Sequence, residues 1–202
     1  MHIIDGYGRA FVQFVTPYYE RNDSGHQLKH ALDVLDNAMM FKTVLDLNVP
    51  EKEIIAATLM HDIQLYRGRK NHHVNGANFA TTNDYPGKSE FSHDAQERIA
   101  MAILQHRASF TGSYTAQLSE LVSSADRGIP STYQELLDRI RGCKIDIVTD
   151  AGELKSADEI EQMAVSHLKE KFGTAGYARY PDMYIEMYMD RLSKRAAEID
   201  KL

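Results

Sequence analysis

His61 and Asp62 close the apolar run IIAATLMHD, and two more residues of metal-ligating type stand on similar rows: His30 in GHQLKHALDV and Asp126 in LSELVSSADR. A carboxylate or imidazole facing a core is costly without a partner, and one divalent cation satisfies both types at once. His26, His30 and Val34 are each four apart and share a helical face, with Ala38 a turn further on, so one of the two histidines points inward. His61 lies on the face of Ile54 and Ala57 or Thr58. Asp62 lies about 100° round the helix, near enough for both side chains to reach one ion. Asp126 extends the row Leu118, Val122, and His106 ends the row Ile99, Ile103 in ERIAMAILQH. Polar ends on apolar ladders contradict amphipathic patterning, and such contradictions tend to mark functional sites. Nitrogen and oxygen ligands of this kind suit Fe, Mn, Co, Ni, Zn or Mg without choosing among them. A His-Asp dipeptide alone is weak evidence: His93-Asp94 follows PGKSEFS and opens a helix, where Asp94 simply complements the dipole.

The elements that must position these residues are helical. Apolar residues recur at three and four, predicting helices near 8–20, 25–47, 51–65, 71–83, 92–107, 114–127, 131–142, 157–172 and 181–200. Asn22, Asp23 and Ser24 offer cap chemistry to the second, while Pro50 and Pro130 suit the first turns of the third and seventh. Only KIDIVTDAGELKS, residues 144–156, alternates like a small hairpin. The stretch from Asn83 to Ser92, with Pro86 and Gly87, is the expected mobile loop beside the site. Two hundred and two residues, 43% hydrophobic, predict an all-α bundle forming one domain over 1–202.

A formal charge of −6 argues against a general grip on duplex nucleic acid. The single cysteine, Cys143, excludes an internal disulfide framework and a cysteine zinc cluster, which fits a reducing cytoplasm. The opening MHIIDGYGR lacks a basic head followed by an apolar block, and no run approaches the ~20 apolar residues of a membrane span, so neither a leader nor a membrane partner is expected.

With these residues in place, the chain resembles the HD-domain metallophosphohydrolase superfamily over about residues 24–128, with 157–202 as a C-terminal helical extension. GHQLKHALDV is similar to the family's first-ligand helix, which selects His30; LMHDI matches the HD motif, and SSADRG resembles the helix of the last aspartate, Asp126. NHHVNGANFA and AILQHRASF resemble the two extra histidine motifs of the dinuclear branches, which include HD-type hydrolases of diadenosine tetraphosphate. They select His106 and His72, the latter ahead of Gly76-Ala77, with His73 as the fallback. The Gly-Tyr-Pro signature of the cyclic-di-GMP phosphodiesterase branch is absent after the HD pair. The resemblance implies one ion on His30, His61, Asp62 and Asp126, a second on His72 and His106 bridged by Asp62, and hydrolysis of a phosphate ester or anhydride by metal-activated water.

Arg67, Arg69 and Lys70 in YRGRKNHH, with Arg107 after His106 and Arg127 after Asp126, are either phosphate-binding or solvated surface charges. They favour a small phosphorylated substrate, a nucleotide above all. His26 either contacts phosphate or donates a proton to the leaving group, taking a catalytic role beside that of Asp62, or only supports its neighbours by hydrogen bonds. Tyr180, Tyr184 and Tyr188, at helical spacing, either pack on the bundle or stack on a nucleobase. His2 and His167 lack ligand context. Two other activities remain open, a diiron oxygenase of the same fold and a non-catalytic nucleotide sensor.

Overall fold

A computed structural model of the chain describes residues 6–23, 25–143 and 154–202. Among the described residues run nine α-helices and no β-sheet: α1 (Gly6–Tyr19), α2 (Leu28–Val44), α3 (Glu51–Met60), α4 (His72–Thr82), α5 (His93–Gln105), α6 (Gln117–Asp126), α7 (Tyr133–Cys143), α8 (Ala157–Phe172) and α9 (Asp182–Ile199). The expected all-α architecture holds. The expected hairpin at 144–156 lies outside the described residues except for Leu154–Ser156.

Three boundaries differ from expectation for local reasons. The chain turns before α2 instead of entering it at residue 25: Asp23 Oδ1 accepts from the Gly25 amide at 3.1 Å and from His26 Nδ1 at 2.7 Å. Asn22 Nδ2 donates to the His26 carbonyl at 3.0 Å. These side chains thus build the turn, and the cap position of α2 falls to Gln27, which makes no side-chain cap bond. Pro50 occupies the cap position of α3 itself, φ −61°, with its carbonyl accepting from Glu53 and Ile54. Pro130 stands ahead of α7, which Thr132 caps: its Oγ1 accepts the Glu135 amide at 3.3 Å while Glu135 Oε2 accepts the Thr132 amide at 2.8 Å.

The stretch from Asn83 to Ser92 joins the ends of α4 and α5 remote from His72 and His106, about 15 Å along α4 and about 20 Å along α5, so it does not flank the site. It is also tied down. Lys88 Nζ donates to the Thr81 and Asn83 carbonyls, and Tyr85 is buried against Phe11, ring centroids 5.7 Å apart.

The chain divides into two compact units, one running to Gly128 and including Pro181–Met187, the other comprising Ile129–Tyr180 and Tyr188–Leu202. α9 passes from one to the other at Tyr188, where φ −130° and ψ 16° interrupt the helix. The tyrosine stripe is accordingly not one continuous face. Tyr184 is buried in the first unit, stacked on Phe41 with centroids 6.4 Å apart, which is the packing role.

In the first unit α3 is the axis. Every residue from Glu53 to Met60 is buried, and α1, α2, α5 and α6 all pack on it. A helix apolar all round belongs in a core, and each large side chain fully buried there contributes roughly 1.5–3 kcal/mol. The one charge within this buried stretch, Glu53, is met by Arg98 of α5, whose Nε and Nη2 donate to both carboxylate oxygens at 2.9 and 2.6 Å. α1 brings Phe11, Val15 and Tyr19 to this core, and α5 brings Ile99 and Ile103. Gly76 lets α4 lie close: a Cβ there would stand 2.9 Å from Ile103 Cγ2 and 3.5 Å from the His61 carbonyl oxygen. That approach sets His72, one turn earlier, beside the HD pair.

In the second unit Leu136, Leu137 and Ile140 of α7 pack with Ala164 and Leu168 of α8 and Ile199 of α9. Ser156 and Glu159 form a reciprocal capping box that starts α8.

Candidate metal centre

Five helices deliver one cluster. His30 comes from the first turn of α2, His61 and Asp62 from the turn that ends α3, His72 from the start of α4, His106 from the end of α5 and Asp126 from the last position of α6. α3 stops at Met60 instead of running on to residue 65. The chain tightens into three-residue turns there, Ile63 N–H bonding the Met60 carbonyl and Leu65 N–H that of Asp62, and the two neighbouring side chains converge. His61 Nε2 is 3.4 Å from Asp62 Oδ2.

The distances fall into two groups that share Asp62. His30 Nε2 and His61 Nε2 are 3.2 Å apart, with Asp126 Oδ1 at 3.0 Å from the first and 3.6 Å from the second, and Asp62 Oδ2 at 3.9 Å from His30 Nε2. On the other side His72 Nε2 and His106 Nε2 are 3.1 Å apart, and Asp62 Oδ1 lies 3.2 and 3.6 Å from them. His30, His61 and Asp62 form one potential metal-holding group, and Asp62, His72 and His106 a second. Asp62 thus turns one oxygen to each.

The backbone decides which ring nitrogens face inward. His61 Nδ1 donates to the Thr58 carbonyl at 2.7 Å, His72 Nδ1 to that of Arg69 at 2.7 Å and His106 Nδ1 to that of Ile103 at 2.6 Å. A carbonyl only accepts, so Nδ1 carries the proton and a neutral ring presents a bare Nε2. Bare nitrogens 3.1 Å apart repel unless a proton or a metal ion stands between them. The C-terminal ends of α3, α5 and α6 also meet here, and their partial negative charge favours a cation.

In the ion-free chain a proton answers the conflict on the His61 side. Burial opposes charging of His61, but the carboxylates of Asp62 and Asp126 outweigh it and take the ring up to about 9. Burial likewise opposes ionisation of Asp62, yet His61 and hydrogen bonds from His106, His61 and His72 hold its carboxyl well below the usual carboxylate range. Asp126 is lowered too, its burial overcome by the His30 hydrogen bond and by His61. A centre this acidic, with imidazoles locked by carbonyls, suits a divalent cation.

His26 does not join the cluster. Its Nδ1 donates to Asp23 Oδ1 at 2.7 Å, Arg69 Nη2 donates to Asp23 Oδ2 at 3.0 Å, and its ring stands edge-on to that of His30, centroids 5.4 Å apart. His73, the fallback for His72, has its ring 5.6 Å away and a buried Nδ1 with no partner; burial first, and then Arg107, holds its pKa down. Arg107 Nη1 donates to the Lys70 carbonyl at 3.0 Å, which joins two of the five basic residues. Lys70 and Arg69 are exposed. Arg67 packs along Tyr66, Nε donating to its hydroxyl at 3.1 Å. Arg127 turns back onto Ser123, donating to its Oγ at 2.7 Å.

Several supporting residues carry no obvious sequence signal. Tyr19 and Asn22 bond the Asp62 peptide groups, at 3.3 and 3.2 Å. Asn37 Nδ2 donates to the Ala125 carbonyl at 3.2 Å, next to Asp126, and Ser123 Oγ donates to the His106 carbonyl at 2.9 Å.

No protein-family model and no curated protein matches the chain. Among solved structures it is similar to the crystal structure of a predicted HD superfamily hydrolase from an uncultured Thermotogales bacterium, with 19% identity, a TM-score of 0.50, and coverage of 80% of this chain and 87% of that one. The fold is that of the HD-domain helical bundle. Among the described residues no helix is long and apolar enough to cross a membrane.

Proposed function

We propose that the chain is a metal-dependent phosphohydrolase of the HD superfamily that cleaves a nucleotide or a related phosphate ester or anhydride. The observation that supports this most is the double pairing of inward Nε2 atoms, 3.2 and 3.1 Å apart, with one Asp62 oxygen given to each pair. The solved structure of like fold, itself described as a predicted hydrolase, points the same way. In this reading His30, His61, Asp62 and Asp126 hold one ion, and Asp62, His72 and His106 a second. Divalent ions, when bound, supply Lewis acidity that lowers the pKa of water and offsets charge on phosphoryl oxygens.

The chain's own residues do the rest. Carbonyl bonds at Thr58, Arg69 and Ile103 fix the tautomer and pitch of three imidazoles, so the donor set needs little rearrangement. Arg69, Lys70 and Arg107, with Arg67 further along the same loop, grip phosphate oxygens; Arg69 stands beside His26 through Asp23. His26 has its Nδ1–H held by Asp23, and in the doubly protonated ring the other nitrogen gives its proton to the leaving group.

The test is product identification. Purified chain loaded with Mn or Fe is incubated with nucleoside mono-, di- and triphosphates, dinucleoside polyphosphates and cyclic nucleotides. Release of phosphate or nucleotide product from at least one class is expected, with Asp62→Ala inactive and Arg69→Ala raising KM about tenfold, the scale of one lost charge-assisted hydrogen bond. No product from any class, or full turnover by Asp62→Ala, refutes the proposal. Oxygen uptake without phosphate release would move the chain to the diiron oxygenase alternative.

A further inference from the structure

α1 contributes no ligand to the cluster, yet its C-terminal end grips the turn that carries the HD pair. α3 stops at Met60, and the Thr58 carbonyl, which a continuing helix would offer to the Asp62 amide, accepts from His61 Nδ1 instead. The Asp62 amide is thereby left without a carbonyl acceptor among the described residues. It donates to the Tyr19 hydroxyl at 3.3 Å. The Asp62 carbonyl in turn accepts from Asn22 Nδ2 at 3.2 Å, and the same nitrogen donates to the His26 carbonyl at 3.0 Å. A third hold lies just beyond, where the Arg21 guanidinium sits 3.7 Å from the Tyr66 ring centroid. Tyr19 is wholly buried and Asn22 and Asp62 nearly so, which shields these bonds from competing water.

We infer that Tyr19 and Asn22 are positioning residues for the bridging carboxylate: they clamp the peptide groups on both sides of the Asp62 Cα, and so fix the direction in which one oxygen meets each imidazole pair. The inference rests on the metal-centre reading, and it adds α1 to the parts of the chain on which ion binding depends. A carboxylate that must serve two positions tolerates rotation poorly, because a turn that improves one contact worsens the other. Side-chain bonds to its own peptide are the economical way to prevent that rotation where the helix has ended.

The experiment measures Mn(II) binding to the full chain, free ion being read by electron paramagnetic resonance, together with thermal unfolding in chelator. Tyr19→Phe keeps the ring and removes the acceptor; Asn22→Ala removes the second bond and serves if the first variant folds poorly. Both are expected to weaken Mn(II) binding about 10- to 100-fold, the usual effect of losing a partner that orients a ligand. Val15→Ala, a wholly buried position one turn earlier on α1, destabilises the same helix without touching Asp62. It should lower Tm while leaving Mn(II) affinity within about twofold of wild type, a threshold set well under the tenfold loss of an orienting partner. Wild-type affinity in both clamp variants, or an equal loss in Val15→Ala, overturns the clamp alone. A wild-type chain that takes up no ion overturns the metal centre and the clamp with it.

Discussion

Raising the pH of the ion-free chain from 6.5 to above 9 should destabilise it, and loading it with a divalent ion should abolish that loss. His61 is fully buried and its ring is raised from 6.5 to about 9 by the carboxylates of Asp62 and Asp126. A base whose pKa is raised on folding contributes stability that is complete below its unfolded value and lost as pH climbs through its folded one. At 1.36 kcal/mol per pH unit the interval is worth roughly 3 kcal/mol. For a chain of this length that is a fall in Tm of about 6–12 °C. Asp62 and Asp126, both lowered, are ionised throughout the window in either state and add no slope; their contribution disappears only in acid. Ion binding requires the His61 proton to leave, so the loaded chain should release about one proton per molecule at pH 7 and gain stability as pH rises. Denaturant titrations at pH 6.5, 7.5, 8.5 and 9.5, with chelator and with Mn(II), measure the slope, and calorimetry in two buffers counts the proton. An ion-free stability that is flat or rising across the window, or the same slope in His61→Ala, would refute the reasoning.

Two further predictions concern separate parts of the bundle. His106→Ala or His72→Ala should halve the metal content, from two ions per chain to one, by elemental analysis after dialysis, because each removes half of an imidazole pair whose members are 3.1 Å apart. Arg98→Ala leaves the buried Glu53 carboxylate without its two-point partner, and after allowance for the partly exposed guanidinium should cost about 2 kcal/mol, or roughly 4–8 °C in Tm.

The helices, and Asp126 and His106 at the ends of their ladders, were legible in the sequence through periodicity, whereas the choice of His30 over His26 and of His72 over His73 came from the resemblance to the HD superfamily. Asp126 after Leu118 and Val122, and His106 after Ile99 and Ile103, stand where apolar ladders should continue, and the structure brings these side chains together with His30, His61, Asp62 and His72. The boundary of α3 was not legible, because IIAATLMHD continues smoothly as a helical pattern and what ends the helix is a side-chain bond, His61 to Thr58. Asn22 and Asp23 carried genuine turn chemistry, but whether such residues cap the next helix or fold a loop depends on what lies across from them, here the Asp62 carbonyl and Arg69. Tyr19 was hidden outright. Spaced four after Val15 and eight after Phe11, it is indistinguishable in sequence from any core aromatic, and its hydroxyl acquires meaning only because an amide is orphaned 43 residues further on.

Thr58, Arg69 and Ile103, whose carbonyls orient the inward imidazoles, each stand three residues before the histidine they hold, at or beside a helix end. In the proposed centre, coordination and end-fraying therefore draw on one set of atoms. A substitution that loosens the last turn of α3 or α5 lets the imidazole swivel while the rest of the rod stays wound, so weakened ion capture would precede any drop in helical content. Circular dichroism would pass such a variant as healthy, and the ion would be the more sensitive gauge of whether those turns are intact.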